Sequence, residues 1–303
     1  MTLLELEKLR KKSKRILIIN IACGLLGVFL HFTILGILLM VMSIIFFLTV
    51  GKNQIENYKK LFKNNIVKAS LEGIFTELYY ETNQGISFDE VKDSGLIVLK
   101  DEFASNDLIV AKYGKVKFKQ SDIIITEIVN EVEQDGMSRQ SHKAGFRGRF
   151  LIFDFLKPTE TLVKVIGKNF NSEGYKQGVI KITKSKITSL KNENQVFMES
   201  DKFNSNFNAF SNDAQMAFYI LTPQIVEAIT TLSNQYEGKI AISFINEKMF
   251  VAISSKQDSL EPKLLSKRTI WEEKEYVLND INVITNFIEL MSLEKNTLVA
   301  TSN

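Results

Sequence analysis

Residues 16–50 read ILIINIACGLLGVFLHFTILGILLMVMSIIFFLTV, about 35 residues with no charged side chain, interrupted only by Asn20, His31 and scattered Ser, Thr and Gly. As one straight helix the stretch would reach about 52 Å at ~1.5 Å per residue, far beyond a hydrocarbon core of ~30 Å. Two antiparallel helices of about 16–18 residues, reversing at Leu30 to Thr33, fit a bilayer better, with flanking Lys and Arg snorkelling outward. His31 then sits in the turn, an interfacial position more than a proton-relay one. Gly24, Gly27 and Gly36 let the two helices approach closely, although ordinary glycine usage in membrane helices accounts for them equally well.

The flanks decide orientation. Lys8, Arg10, Lys11, Lys12, Lys14 and Arg15 precede the apolar run, and Lys52, Lys59, Lys60 and Lys63 follow it. Both ends therefore read as cytoplasmic, which requires an even number of crossings and keeps the rest of the chain on the same side. A secretory signal fits less well, because the run is too long for its apolar region and no small-residue cleavage site follows Val50.

Outside this segment the composition is that of a folded domain. Hydrophobic residues make up 45% of the 303, and a net charge of +3 with Lys interspersed among Asp and Glu gives nucleic-acid binding little support. The lone cysteine, Cys23, lies in the apolar run, so the soluble part has no thiol for a disulfide, as suits an intracellular domain. Abundant Lys, Asn, Ile and Phe with scarce Pro suggest an AT-rich bacterial source.

After the membrane segment, Ile55, Tyr58, Phe62, Ile66 and Ala69 recur at helical spacing, predicting an amphipathic juxtamembrane helix whose Lys residues contact anionic lipid or form a solvated face. Ser87 before Phe88-Asp89-Glu90-Val91, with Gly95 beyond, predicts a short capped helix. From Leu108 to Phe155 the period changes to that of strands, including Val116-Lys117-Phe118 and a β-branched run from Ile123 to Val132. A polar connection over Asp135–Gly148 precedes the strand Arg149–Phe155, predicting a long antiparallel hairpin. Arg139, His142, Lys143, Arg147 and Arg149 cluster there, as a phosphate or acidic-partner site or as solvated charge.

Further strands are expected over Thr161–Ile166, Lys181–Leu190 and Gln195–Glu199. A helix from Asp213 and a second one opened by Thr222-Pro223 follow. A hairpin over Ile240–Phe244 and Met249–Ser254, and a last helix over Asp280–Leu290, complete the chain.

Catalytic signatures are sparse. The soluble region holds one histidine, His142, and no cysteine, which rules out a Cys/His metal cluster there. Neither a P-loop nor a dinucleotide-binding glycine pattern occurs, and the glycines of Gly145-Phe146-Arg147-Gly148 suit strand bending better than phosphate cradling. Glu127, Glu131 and Glu133 offer carboxylates for a hard metal or acid–base work, but their alternation points to one wet sheet face.

The run Gly145-Phe146-Arg147-Gly148-Arg149-Phe150-Leu151-Ile152, Phe203-x3-Phe207 with Ser211-Asn212-Asp213, Leu221-Thr222-Pro223, and the hairpin Ile242-Ser243-Phe244 to Phe250-Val251-Ala252-Ile253 together resemble the family of domain of unknown function 3137. The resemblance implies a bacterial membrane protein with a membrane hairpin ahead of a soluble domain, and supplies no catalytic residues. At Leu260-Glu261-Pro262 the chain departs from that pattern, which has an aromatic before the glutamate.

The expected fold is α+β: an N-terminal two-helix transmembrane hairpin followed by a mainly antiparallel β-sheet domain with flanking helices. Its divisions are a basic cytoplasmic N-terminus (1–15), the hairpin (16–50), the juxtamembrane helix (51–72) and the soluble domain (73–303). The expected function is a membrane-anchored, cytoplasmic-facing scaffold or sensor, the alternative an enzyme of membrane or envelope metabolism using carboxylate chemistry. Lys59, Lys60, Lys63, Arg139, Lys143 and Arg147 are the candidate contacts for anionic lipid or ligand. No catalytic set, metal or cofactor is expected; the partners are the lipid bilayer and a membrane-associated protein or anionic lipid, not nucleic acid.

Overall fold

In the computed structural model, which describes residues 1–132, 138–155, 157, 159–170, 194–236, 239–255 and 258–293, the chain opens on a capping box. The Thr2 hydroxyl accepts from the Glu5 N–H and the Glu5 carboxylate accepts from the Thr2 N–H, starting helix α1 (Leu3–Phe29). The chain reverses over Leu30–Thr33, where His31 lies, as expected. Thr33 then caps α2 (Ile34–Phe46) by accepting from the Gly36 N–H. A Cβ on Gly36 would stand 2.0 Å from the Leu30 carbonyl oxygen, so the turn requires glycine there. Midway along the pair the Asn20 amide donates to the Ser43 carbonyl at 2.7 Å and the Ser43 hydroxyl donates to the Asn20 carbonyl at 3.1 Å.

Through two π-helical turns (Phe47–Gly51 and Lys63–Val67) the second helix continues into α3 (Lys52–Phe62) and α4 (Lys68–Glu72). Among the described residues one helix, Ile34–Glu72, is long and apolar enough to cross a membrane. Helix α1 does not qualify alongside it, because its apolar half is preceded within the same helix by Lys12, Lys14 and Arg15. A helical hairpin is present; its expected character as two transmembrane helices is not shown.

Two compact units emerge. The first joins Met1–Gly73 to Leu260–Asn282, an association the sequence did not suggest. Its buried positions recur at helical spacing: Leu6, Arg10 and Ser13 on α1; Tyr58 and Phe62 on α3; Ile270, Glu273, Val277 and Ile281 on the helix spanning Ile270–Leu290. That helix begins ten residues before the expected Asp280.

Among the described residues the second unit is built on nine strands: β1 (Thr76–Glu81), β2 (Glu102–Tyr113), β3 (Val116–Val132), β4 (Ser138–Asp154), β5 (Val163–Gly167), β6 (Asn194–Val196), β7 (Phe207–Ser211), β8 (Ile240–Ile245) and β9 (Lys248–Ser254). Their order is β1-β2-β3-β4-β9-β8-β5-β7-β6, with antiparallel neighbours throughout. The short helix α5 (Phe88–Asp93) has the expected capping box on Ser87, and Gly95 ends its segment at φ +62°. Helices α6 (Asp201–Asn206), α7 (Ala214–Ile220, capped by Asp213), α8 (Pro223–Gln235) and α9 (Ile270–Leu290) follow.

One sheet face buries Ile123, Ile125, Phe146, Phe150 and Phe250 against Val91 and Leu96 from the α5 segment. Each such fully buried side chain is worth about 1.5–3 kcal/mol of transfer free energy. On the other face Phe153 stacks on Phe287 of α9 at 6.0 Å between ring centroids.

The main correction concerns β4. It starts at Ser138, so Arg139, His142, Lys143 and Arg147 are strand residues and not a loop, because the β3 ladder runs on to Val132 and offers each a backbone partner. Strand β1 was not foreseen. The strand expected over Lys181–Leu190 lies outside the described residues, as does Glu133.

Candidate functional site

Of the six candidate cations, Lys59, Lys60 and Lys63 belong to the first unit and Arg139, Lys143 and Arg147 to the second. Lys63 is 7% exposed, and its ammonium lies 2.6 Å from Glu261, which Lys59 also approaches at 3.1 Å. Burial opposes the ionisation of Glu261, yet these two ammoniums hold its carboxyl below the usual range. Lys60 is exposed. On β4 the backbones of Arg139 and Lys143 pair opposite Glu131 and Glu127, with both basic side chains outside the described residues. Glu127 takes an ion pair from Lys100 at 2.8 Å. Arg147 is already engaged, its Nη2 and Nε donating to Asp258 Oδ1 at 2.9 and 3.3 Å.

The Glu261 pair gives a stability prediction. Glu261→Gln should cost about 1–2 kcal/mol at neutral pH, a discounted value because Glu261 is only partly buried. With its folded pKa depressed, the pair contributes fully above the ordinary carboxylate value and is lost as pH falls through the folded value. Denaturation in detergent at pH 7 and pH 3 should show the two proteins converging at the lower pH.

A more deeply built site lies within the sheet. Asp122 on β3 pairs directly with Arg149 on β4, and the two are 3% and 6% exposed. Gln120, two residues along the same strand and so on the same face, is equally buried. On β2 the register slips between Asn106 and Ile109, and the slip carries Asp107 at φ +56°. Asp107 accepts from the Tyr80 hydroxyl and the Asn106 amide, each at 2.9 Å. The Ser259 hydroxyl donates to Asp122 Oδ1, while Asp122 Oδ2 and Gln120 Oε1 have no hydrogen-bond partner among the described residues.

The cluster thus gathers three carboxylates, Asp107, Asp122 and Asp258, around two guanidiniums, Arg147 and Arg149. Burial pushes the Asp122 carboxyl up to about 7; Arg149 and the Ser259 hydroxyl oppose the shift, and Asp107 and Asp258 add to it. Chemically, the arrangement holds a proton near neutral pH. The sequence reading has Arg149 at the start of the strand Arg149–Phe155 and among the clustered cations, and passes over Asp122. The available signal was an aspartate leading the β-branched run Ile123-Ile124-Ile125, where aspartate is disfavoured.

Residues 144–293 match the protein family described as "Protein of unknown function (DUF3137)". The match covers β4 from its bulge onward, the remaining strands and α9. Among solved structures the chain is similar to the crystal structure of the mycobacterial trehalose monomycolate transport factor A, TtfA, at 8% identity and a TM-score of 0.36, over 76% of this chain and 96% of that one. Comparison with curated proteins gives no match.

Proposed function

For a chain whose residues 144–293 match the DUF3137 family, we propose a multi-pass, membrane-anchored scaffold or sensor, with residues 16–50 crossing a bacterial cell membrane as two antiparallel helices and the sheet unit held at the cytoplasmic face. The observation that carries this is an inside-out hairpin. Leu25 is 65% exposed, Phe29 81% and Met42 64%, whereas the polar Asn20 and Ser43 turn towards each other. Water would penalise that surface; in hydrocarbon each Leu, Ile, Phe or Val near a helix centre favours insertion by about 0.3–0.6 kcal/mol. The basic flanks, Lys11 to Arg15 on one side and Lys52 on the other, support an even number of crossings.

The chain should sediment with membranes, resist an alkaline carbonate wash and be released by detergent. Recovery in the wash would contradict anchoring. Affinity capture from gently solubilised membranes tests the scaffold role, and the absence of any reproducible protein or lipid partner would contradict it.

The second reading is an enzyme using carboxylate chemistry. One observation favours it, the neutral-range titration of Asp122 beside Arg149. At 3% exposure that carboxyl is better suited to hold a proton than to meet a substrate.

A further inference from the structure

We propose that the loop 263–269 and Trp271, with Lys14 and Arg15 of α1, form a second membrane contact, an interfacial surface lying on anionic phospholipid beside the inserted hairpin. This rests on the membrane insertion proposed above and names the lipid chemistry read by the same unit.

Hydrogen bonds fix the height of the loop. The Ser13 hydroxyl donates to the Gln54 carbonyl, which sets this turn of α1 level with the start of α3. One turn apart on α1, Arg10 and Lys14 both donate to the Ser266 carbonyl at 3.0 Å. Ser266 therefore lies about 3–9 Å along the axis from Ile16, where the apolar run begins, at ~1.5 Å per residue. The chain rises to this point from Glu261, held lower down by Lys63 and Lys59, and descends along α9. The Ser266 hydroxyl donates to Glu273 at the top of that descent, and the Leu260 N–H donates to Asp280 halfway down it. The loop is thus an apex directed at the bilayer.

Its side chains have interfacial character. Leu265 is 56% and Trp271 48% exposed, and Lys267 and Arg15 are exposed as well. The Arg268 guanidinium stacks 4.3 Å from the Tyr276 ring centroid. The neighbouring acids are turned to local work: Glu273 is buried against Ser266, and Glu272 accepts from the Thr269 N–H and hydroxyl. What remains facing outward is an indole, an aliphatic side chain and several cations, the combination that settles at a headgroup layer of negative charge.

Trp271 is the only tryptophan in the sequence, so its fluorescence reports this surface alone. The full chain is reconstituted into phosphatidylcholine vesicles with or without phosphatidylglycerol, carrying nitroxide labels either near the headgroup or deep in the acyl region. Trp271 emission should shift to the blue and be quenched more by the shallow label than by the deep one. Phosphatidylglycerol should strengthen the quenching, and Lys267→Glu with Leu265→Asp should weaken it several-fold. If the chain floats with the vesicles while Trp271 emits as in water and is not quenched, this contact is overturned and insertion stands. Quenching indifferent to phosphatidylglycerol and to both substitutions overturns the anionic contact; failure to float overturns insertion and contact together.

Discussion

Arg149→Met is expected to lower the stability of the detergent-solubilised chain by about 3 kcal/mol at pH 8, where the Asp122 carboxyl is mostly ionised, the low end of the usual cost of removing one partner from a buried charged pair. Asp122 directly across the ladder would lose its main compensating charge while Asp107 and Asp258 still disfavour its ionisation. The pH dependence has a definite sign. The Asp122 carboxyl sits at about 7 when folded, against an ordinary value of 3.8, so the unfolded chain releases this proton first. Its contribution is complete below 3.8 and is lost as pH rises through 7, a change of about 4 kcal/mol. In Arg149→Met the decline should extend further above neutrality, making the defect larger at pH 8 than at pH 5. Adding Asp122→Leu should recover much of the loss and flatten the profile, since a packed apolar pair avoids the desolvation of charge. Denaturant titrations at the two pH values would show this; equal losses at both would contradict the assignment.

Gly148→Ala should be about as damaging, at about 3 kcal/mol or more, because nothing soft lies in the way of the new methyl group. A Cβ at this position would stand 2.0 Å from the Ile253 carbonyl oxygen and 3.0 Å from its carbon. Relief requires β4 and β9 to part where Gly148 faces Ser254 and where the Ser255 N–H donates to the Arg147 carbonyl. These strands lie in the middle of the sheet order, so the disturbance reaches the buried pairs Leu151–Val251 and Phe153–Met249. Gly145→Ala should be far milder, since its added Cβ would find ordinary contacts of 3.4 Å and beyond. Comparing the two denaturation midpoints tests the close approach, and similar losses would refute it.

What the sequence made legible was what it encodes locally. The uncharged run over residues 16–50, the Ser87 and Asp213 caps and the Thr222-Pro223 helix start each depend on neighbours in the chain, and each appears in the fold. The glycines of 145–148 were read as strand-bending, and Gly145 does lie where β3 and β4 slip register. Pairing with a distant segment was harder to see. The polar residues after Ser138 become strand because β3 supplies a ladder, and Thr76–Glu81 becomes an edge strand on β2 despite its charges. The start of α9 was hidden because its inward face includes Glu273, a charge made tolerable by Ser266. Asp122 with Arg149 and Lys63 with Glu261 were likewise out of reach, since burial of a charge is set by what packs over it.

The proposed topology has residues 16–50 crossing the membrane twice, with positions 2 and 303 both on the inner side. Cys23 is the only native cysteine, so a Cys23→Ser background allows Thr2→Cys, His31→Cys and Asn303→Cys to be placed one at a time. With a membrane-impermeant maleimide on intact cells, the cysteine at position 31 should label, while those at 2 and 303 label only after permeabilisation. Labelling of position 303 in intact cells, or protection of position 31 before and after permeabilisation, would rule out this topology.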